Sequence, residues 1–330
     1  MKIAVIGGGA WGTTLASLLS GKGLATRLWV REPELADEIQ KRGENTWFLP
    51  GVKLDQGLRV ETDPGAAASG ADLFLLVVPC QYLRQMLKRL SDSMEQGPLV
   101  VCASKGIELS NLKMMSEVVQ EELKGLDPEF GVLSGPSFAR EVSRGLPTAV
   151  SLGCARRETG SRLQEVLSTD SFRVYYTHDF RGVELGGALK NVMAIASGIS
   201  DGLGFGSNSR AALITRGLAE MSRLGRALGA RERTFMGLSG LGDLVLTCTG
   251  ELSRNRQVGL RIGRGESLEG IMAGMQMVAE GVKTTEAVYQ LGRTCGVETP
   301  ITDQVFATLF QGKDPGQAVQ ELMLRELKEE

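Results

Sequence analysis

A lysine set in a helix of small and apolar residues is the first place where this chain could do chemistry. Lys190 follows Gly186-Gly187-Ala188-Leu189 and precedes Asn191. At helical spacing, Val183, Gly186, Gly187, Lys190, Asn191, Ala194 and Ile195 share one face. A lysine on so narrow a face can approach another helix or a ligand. Desolvation there would suit its ammonium to proton transfer. The same pattern also fits a lysine that snorkels out of a core helix. Further along lie Gly240-Leu241-Gly242-Asp243, then Thr247, then Ser253-Arg254-Asn255. Ser253 is a good N-cap, with Arg254 and Asn255 in the first turn behind it. Arginine favours the opposite end of a helix. At the positive end it makes sense if an anion is held there by the guanidinium and the free N–H groups. A surface arginine behind a serine cap would look the same in sequence.

A second constellation opens the chain. Gly7-Gly8-Gly9-Ala10-Trp11-Gly12 satisfies GxGxxG between a candidate first strand and a candidate first helix. In that context Gly7 permits the tight turn. Gly9 lets backbone approach a pyrophosphate, and Gly12 lets the helix pack close to the strand. The helix N-terminus then offers N–H groups and a positive dipole end to the phosphates. About 20 residues on, where an acidic residue reads a ribose hydroxyl and an arginine a 2′-phosphate, the chain has Arg31 followed by Glu32. Arg31 leans the expectation toward NADP, and Glu32 keeps NAD open. Two more segments lie just past candidate strand ends, where open α/β sheets bind ligands. Ala103-Ser104-Lys105-Gly106 puts a lysine within reach of an anion or a carbonyl, and Leu133-Ser134-Gly135-Pro136-Ser137-Phe138-Ala139 can line a cleft.

The elements that must position these residues are legible as patterns. Strand candidates are Ile3–Ile6, Thr26–Val30, Arg59–Glu61, Leu73–Val78, Leu99–Ala103 and Gly131–Leu133, with Thr148–Leu152 and Phe172–Tyr176 as extensions. Four of them are continuously apolar, as parallel strands covered on both faces should be. Helical stretches such as Thr13–Ser20, Pro33–Arg42, Gln81–Leu90 and Leu112–Leu123 alternate with them. The alternation predicts an α/β, Rossmann-type, mostly parallel sheet with helices on both faces. After His178 the β-like runs stop. Val183–Ile199, Ser209–Leu228, Asn255–Gly263, Lys283–Leu291, Ile301–Phe310 and Pro315–Leu327 read as helices. The expected division is therefore a dinucleotide-binding domain over 1–178 and an all-α, substrate-binding and catalytic domain over 179–330. Gly202, Gly204 and Gly206 are expected to mark one flexible turn between helices, and Gly237, Gly240 and Gly242 another.

Composition narrows the chemistry further. The 330 residues carry 37 Lys+Arg against 39 Asp+Glu, a net charge of −2, which argues against nucleic acid or an anionic membrane as a bulk electrostatic partner. The 43 glycines far exceed an average share, consistent with tight turns and backbone close to a ligand. A single histidine, His178, leaves no histidine-rich metal site, and no metal is expected. It stands at the expected domain junction and reads as structural. The five cysteines show no CxxC or zinc spacing and read as reduced thiols of a cytoplasmic protein, with Cys80 taken as packing. The longest apolar run, Leu73–Pro79, is far short of a membrane span. No leader pattern is expected at the N-terminus. Small-residue faces in the helical half are compatible with a homodimer.

Taken in order, these motifs resemble the NAD(P)-dependent glycerol-3-phosphate dehydrogenases of the bacterial soluble type. The resemblance is carried by Gly7–Gly12 with Thr13-Thr14-Leu15-Ala16 and by Leu133–Ala139 with Pro147-Thr148-Ala149-Val150. Glu184-Leu185-Gly186-Gly187-Ala188-Leu189-Lys190-Asn191, Gly240-Leu241-Gly242-Asp243-Leu244 and Ser253-Arg254-Asn255 complete it along essentially the whole chain. The resemblance implies reversible NAD(P)H-dependent reduction of dihydroxyacetone phosphate to sn-glycerol 3-phosphate, for glycerophospholipid synthesis. It implies Lys190 as proton donor and acceptor, assisted by Lys105 and Asp243. Substrate contacts would come from Lys105, Gly135, Ser137, Lys190, Asp243, Ser253, Arg254 and Asn255. Cofactor contacts would come from Gly7, Gly9, Ala10, Trp11, Gly12, Arg31, Lys105, Ala139, Arg254, Val278 and Glu280. Ala10 stands where relatives often carry serine, so a contact there must be made by backbone. The alternatives are a β-hydroxyacid-type dehydrogenase with a carboxylate substrate, and a non-catalytic NADP-binding sensor. The phosphate cap at Ser253–Asn255 argues against the first. The joint presence of Lys105, Lys190 and Asp243 argues against the second.

Overall fold

The computed structural model describes residues 1–275, 279–327 and 329. The chain divides into two compact units, Met1–Lys105 with Lys113–Glu184, and Gly106–Leu112 with Leu185–Glu330. The strands are β1 (Lys2–Ile6), β2 (Ala25–Trp29), β3 (Arg59–Glu61), β4 (Leu73–Leu76), β5 (Leu99–Cys102), β6 (Ile107–Glu108), β7 (Lys113–Met114), β8 (Glu129–Ser134), β9 (Thr148–Cys154) and β10 (Phe172–Thr177). All eight expected strands form.

The first unit is built on one sheet of order β10-β9-β8-β5-β4-β1-β2-β3. Every neighbouring pair is parallel except β8–β9. The run β3-β2-β1-β4-β5-β8 is the doubly wound order, whose direction of winding reverses between β1 and β4. The apolar strands explain the layering. Ile3, Val5, Leu73, Leu75, Leu99 and Val101 pack in one core with Leu15, Leu19, Leu35 and Ile39. Their alternate neighbours Ala4, Ile6, Phe74, Leu76, Val100 and Cys102 pack in a second core with Leu83, Leu87, Val118 and Val119. Successive side chains of a strand face opposite ways, so a run without polar residues must be covered on both sides. The helices Ala10–Gly21 and Pro33–Arg42 cover one face, and Leu83–Leu90 and Met115–Glu122 the other.

Three local expectations are revised. The stretch 112–123 is not helical from its start, because Lys113–Met114 is strand and the helix begins at Met115. There the backbone N–H of Met114 donates to Glu117 Oε2 at 2.8 Å, an N-terminal cap that sets the first turn. A helix over Arg157–Leu167, which the sequence did not announce, precedes β10. Thr159 and Gly160 weaken its local signal, and its Leu163 and Leu167 are recruited by the core. The glycines of 237–242 do not form a flexible turn. Leu238–Gly242 is a π-helical segment leading into the helix Asp243–Thr249.

Apart from β6, the second unit is helical. Its longer helices are Ser207–Ala227, Arg254–Gly263, Glu280–Thr294, Pro300–Phe310 and the part of Phe180–Gly202 from Leu185 onward. Residues 185–200 of that last helix are buried on every side, which its small and apolar sequence permits. Gly198 and Gly259 explain how tightly it packs. A Cβ at Gly198 would run into Arg256 O, and one at Gly259 into Ile195 O. Two backbones approach this closely only where neither residue has a side chain. The crossing brings the start of the helix Arg254–Gly263 to Asn191. Asp201 locks it from the side, binding Arg210 at 2.6 Å and Arg256 at 2.6 Å. Among the described residues no helix is long and apolar enough to cross a membrane.

Candidate active site

In the first unit, the glycine loop lies between β1 and the helix Ala10–Gly21, at the edge of the crevice where winding reverses. Gly7 has φ +131°, and a Cβ there would stand 2.8 Å from Val77 O. A Cβ at Gly12 would strike Gly7 O, whereas one at Gly9 would meet nothing within 4 Å. The loop is therefore pressed against its own sheet at Gly7 and Gly12 and open at Gly9. Gly9 is the N-cap, and no side chain caps the helix it begins. An open, uncapped helix N-terminus beside a glycine turn fits the pyrophosphate of a dinucleotide. Ala10 and Trp11 form the first turn, and the Trp11 ring packs against Phe172 with centroids 6.2 Å apart. At the end of β2, Arg31 is 77% exposed and pairs with Glu32 at 2.5 Å. The two residues that pointed to different cofactors thus hold each other.

The strand-end segments also meet. Lys105 Nζ donates to Gly135 O at 3.4 Å, and Ser137 Oγ donates to the same oxygen at 2.9 Å. Thr14 Oγ1 donates to Ala139 O at 3.3 Å, tying the first helix to that segment. His178 stacks edge-on to Tyr176, whose hydroxyl lies 2.7 Å from its Nδ1. Cys80 is buried in the core with Leu83 and Met86.

The second unit brings Lys190, Asp243 and Thr247 together. Lys190 does not snorkel. Its side chain is 8% exposed and that of Asp243 2%. Lys190 Nζ donates to Asp243 Oδ1 at 2.6 Å and to Thr247 Oγ1 at 2.7 Å. The Thr247 hydroxyl in turn donates to Asp243 O at 2.6 Å. Two residues of opposite charge, 53 positions apart, thus offset the cost of each other's burial, and the threonine restricts the ammonium to one orientation. The π-helical segment contributes to this placement, because a Cβ at Gly186 would stand 2.5 Å from Ser239 O. Cys248 lies on the same helix as Asp243, and burial pushes its thiol up to about 12, so no thiolate competes there.

Ser253, Arg254 and Asn255 stand at the start of the helix Arg254–Gly263. Ser253 Oγ accepts from Arg256 N at 3.3 Å. Asn255 Nδ2 donates to Asn191 Oδ1 at 2.9 Å, and Gly281 N donates to Asn255 Oδ1 at 3.0 Å. Arg254 keeps much of its chain exposed, yet loss of water around its guanidinium lowers its pKa, opposed by the charge of Glu280. Glu280 is the first residue of the helix Glu280–Thr294. Val278 lies outside the described residues. Sequence reasoning gave no role to Thr247 or Asn191. The signal for Thr247 was its i+4 spacing from Asp243, which puts both on one helix face. Asn191 had only its adjacency to Lys190.

A doubly wound sheet with a glycine loop at its switch point, joined to a helical unit carrying a buried, paired lysine, is the build of a nicotinamide-dependent oxidoreductase. Comparison with known proteins narrows the class. The description "NAD-dependent glycerol-3-phosphate dehydrogenase N-terminus" matches residues 2–160, and the corresponding C-terminus matches residues 179–320. A protein of Nitratidesulfovibrio vulgaris named glycerol-3-phosphate dehydrogenase (NAD(P)+) is 61% identical over 330 residues, all of both chains. The crystal structure of glycerol-3-phosphate dehydrogenase from Coxiella burnetii is similar with a TM-score of 0.94 and 42% identity, covering 98% of this chain and 99% of that one. A D-mandelate dehydrogenase, at 15% identity and a TM-score of 0.65 over 97% of this chain and 99% of the other, shares the fold alone. The chain belongs to the NAD-dependent glycerol-3-phosphate dehydrogenase family.

Proposed function

We propose that this chain catalyses the reversible NAD(P)H-dependent reduction of dihydroxyacetone phosphate to sn-glycerol 3-phosphate, in the cytoplasm and for glycerophospholipid synthesis. The observation that carries the reading is the buried Lys190–Asp243–Thr247 cluster in a chain of this family. Residues 1–178 hold the dinucleotide, and 179–330 hold the substrate and the acid. When bound, the reduced nicotinamide supplies the hydride. Lys190 Nζ hydrogen-bonds the substrate carbonyl oxygen, polarises it and delivers the proton as negative charge develops there. In the reverse direction it takes the proton back. Asp243 and Thr247 keep the ammonium aimed along one direction. Lys105 adds positive charge, held at its strand end beside Gly135 and Ser137.

Arg254, with Ser253 and Asn255 at the start of its helix, takes the phosphate. Binding energy from this remote group orients the reacting carbon. The glycine loop residues Gly7, Gly9, Ala10, Trp11 and Gly12 seat the dinucleotide. Arg31 meets a 2′-phosphate when one is present, and Ala139, Arg254 and Glu280 complete the contacts. The name of the similar bacterial proteins covers both NAD and NADP, and the exposed Arg31–Glu32 pair leaves both usable.

The test is the loss of reduced-nicotinamide absorbance on adding dihydroxyacetone phosphate, with NADPH and NADH run separately. Wild type should oxidise both. Lys190→Ala should lose about 10²- to 10⁴-fold in kcat while still binding cofactor. Near-wild-type turnover by that variant would remove the acid role. No oxidation by wild type, with binding intact, would move the substrate to the 2-keto and 3-hydroxy carboxylates.

A further inference from the structure

The glycine loop is held from behind by a residue that touches neither substrate nor cofactor in the reading above. Asn45 lies in the connection between the helix Pro33–Arg42 and β3, and it is fully buried. Its Nδ2 donates to Gly8 O at 2.9 Å and to Thr13 Oγ1 at 2.8 Å. Its Oδ1 accepts from Phe48 N at 3.0 Å. The Phe48 N–H can only donate and Gly8 O can only accept, so the orientation of the amide is settled. The Thr13 hydroxyl adds a second bond to Gly8 O at 3.2 Å. Both donors converge on one carbonyl of the fingerprint.

That carbonyl fixes more than itself. Among the described residues every peptide bond is trans. In a planar trans peptide the carbonyl of one residue and the N–H of the next point in opposite directions. Pinning Gly8 O inward on Asn45 and Thr13 therefore turns the N–H of Gly9 the other way, away from those two side chains, at a residue whose own Cβ would meet nothing within 4 Å. Glycine on both sides of this peptide leaves its plane free to rotate unless something outside the loop holds it. The first helical bond, Thr13 N to Gly9 O at 2.9 Å, restrains only the following peptide.

We infer that Asn45 is a positioning residue for the dinucleotide pyrophosphate. It orients the Gly8–Gly9 peptide so that the Gly9 N–H is presented to phosphate oxygen before the cofactor arrives. The inference rests on the dinucleotide-binding reading of the loop. It predicts that Asn45 matters for ligands that carry the pyrophosphate and not for the adenosine end alone.

The experiment measures dissociation constants by fluorescence for NADPH, NADH and adenosine 2′-phosphate, which lacks the pyrophosphate, together with the melting temperature without ligand. Asn45→Ala should weaken NADPH and NADH by about tenfold each, the order expected for one mis-set charge-assisted bond, and leave adenosine 2′-phosphate within about twofold. Thr13→Val should show the same selective pattern more weakly and Thr13→Ser should restore binding. That pair keeps the test decisive if Asn45→Ala does not fold. Equal weakening of all three ligands would reduce Asn45 to a general structural role and overturn the inference, as would unchanged dinucleotide binding. Failure of the wild type to bind either dinucleotide would instead remove the functional reading itself.

Discussion

Glu184 stands six residues before Lys190 in the helix Phe180–Gly202, and its ionisation should be visible in the stability of the protein. The carboxyl group is buried, accepting from Ser116 N at 2.8 Å and from Ser116 Oγ at 2.7 Å. Burial is the largest influence and pushes its pKa from 4.5 to about 7, helped by the charge of Glu117 and resisted by the two Ser116 bonds and the N–H of Met115. In the unfolded chain the group titrates near its ordinary value, so between about pH 4.5 and 7 the folded state binds the extra proton. Stability from this group is fully present below about pH 4.5 and is lost as pH rises through about 7. At about 1.4 kcal/mol for each tenfold change in proton affinity, the loss is about 3 kcal/mol at pH 8 and below about 1 kcal/mol at pH 5.

Glu184→Gln isolates this effect. Glutamine is close to the protonated acid in shape. Its oxygen can accept from Ser116 N and its amide can donate to Ser116 Oγ once that hydroxyl rotates. Every other titrating group is common to both proteins and cancels in the difference. The variant should match wild type near pH 4.5 and become more stable by about 3 kcal/mol at pH 8. For a unit of 150–250 residues that is about 6–12 °C in melting temperature. Calorimetry of both proteins at half-unit steps from pH 5 to 8.5 measures the difference directly. A melting-temperature difference that stays constant over this range would refute the reasoning, because it would show that Glu184 titrates alike in the folded and unfolded chains.

Two further outcomes bear on the ligand sites. Arg254→Ala removes a guanidinium from the start of its helix and should raise KM for dihydroxyacetone phosphate by about 10- to 100-fold, the value of one to two charge-assisted hydrogen bonds. An unchanged KM would take the phosphate away from this helix. Arg31→Ala should lower kcat/KM for NADPH by about tenfold or more and leave NADH within about threefold. The exposed pair with Glu32 is worth under about 1 kcal/mol and is readily given up to a phosphate. An unchanged ratio of the two cofactors would mean that Arg31 does not read the 2′-phosphate.

Much of this protein is written in local pattern. Runs such as Leu73–Leu76 and Leu99–Cys102 can be satisfied only by cover on both faces, so the doubly wound sheet follows from composition along the strand. Pro33 at a helix start and Gly43 at its end bound the helix Pro33–Arg42 as expected. Ser253 caps its helix because a serine oxygen can reach the N–H three residues on. The spacing of Gly7 and Gly12 in the fingerprint is equally local, since a Cβ at Gly12 would strike Gly7 O within the same turn.

Tertiary structure decided what period and composition leave degenerate. A lysine at position 190 fits a buried face or a snorkelling surface equally well. The choice was made by Asp243 and Thr247, which only the packing of two distant segments brings to its ammonium. The glycines of 237–242 looked like a hinge and became a helical turn, because close approach to a neighbouring helix uses the same residue as flexibility does. Arg31 and Glu32 argued for different cofactors in sequence, and the fold sets them against each other. Asn45 carried no signal at all, since its partners Gly8 and Thr13 are 37 and 32 residues away. Sequence shows which groups a chain owns and which local shapes it prefers. The pairing of buried charges and amides depends on long-range register, and that is settled only when the sheet and the helices have closed.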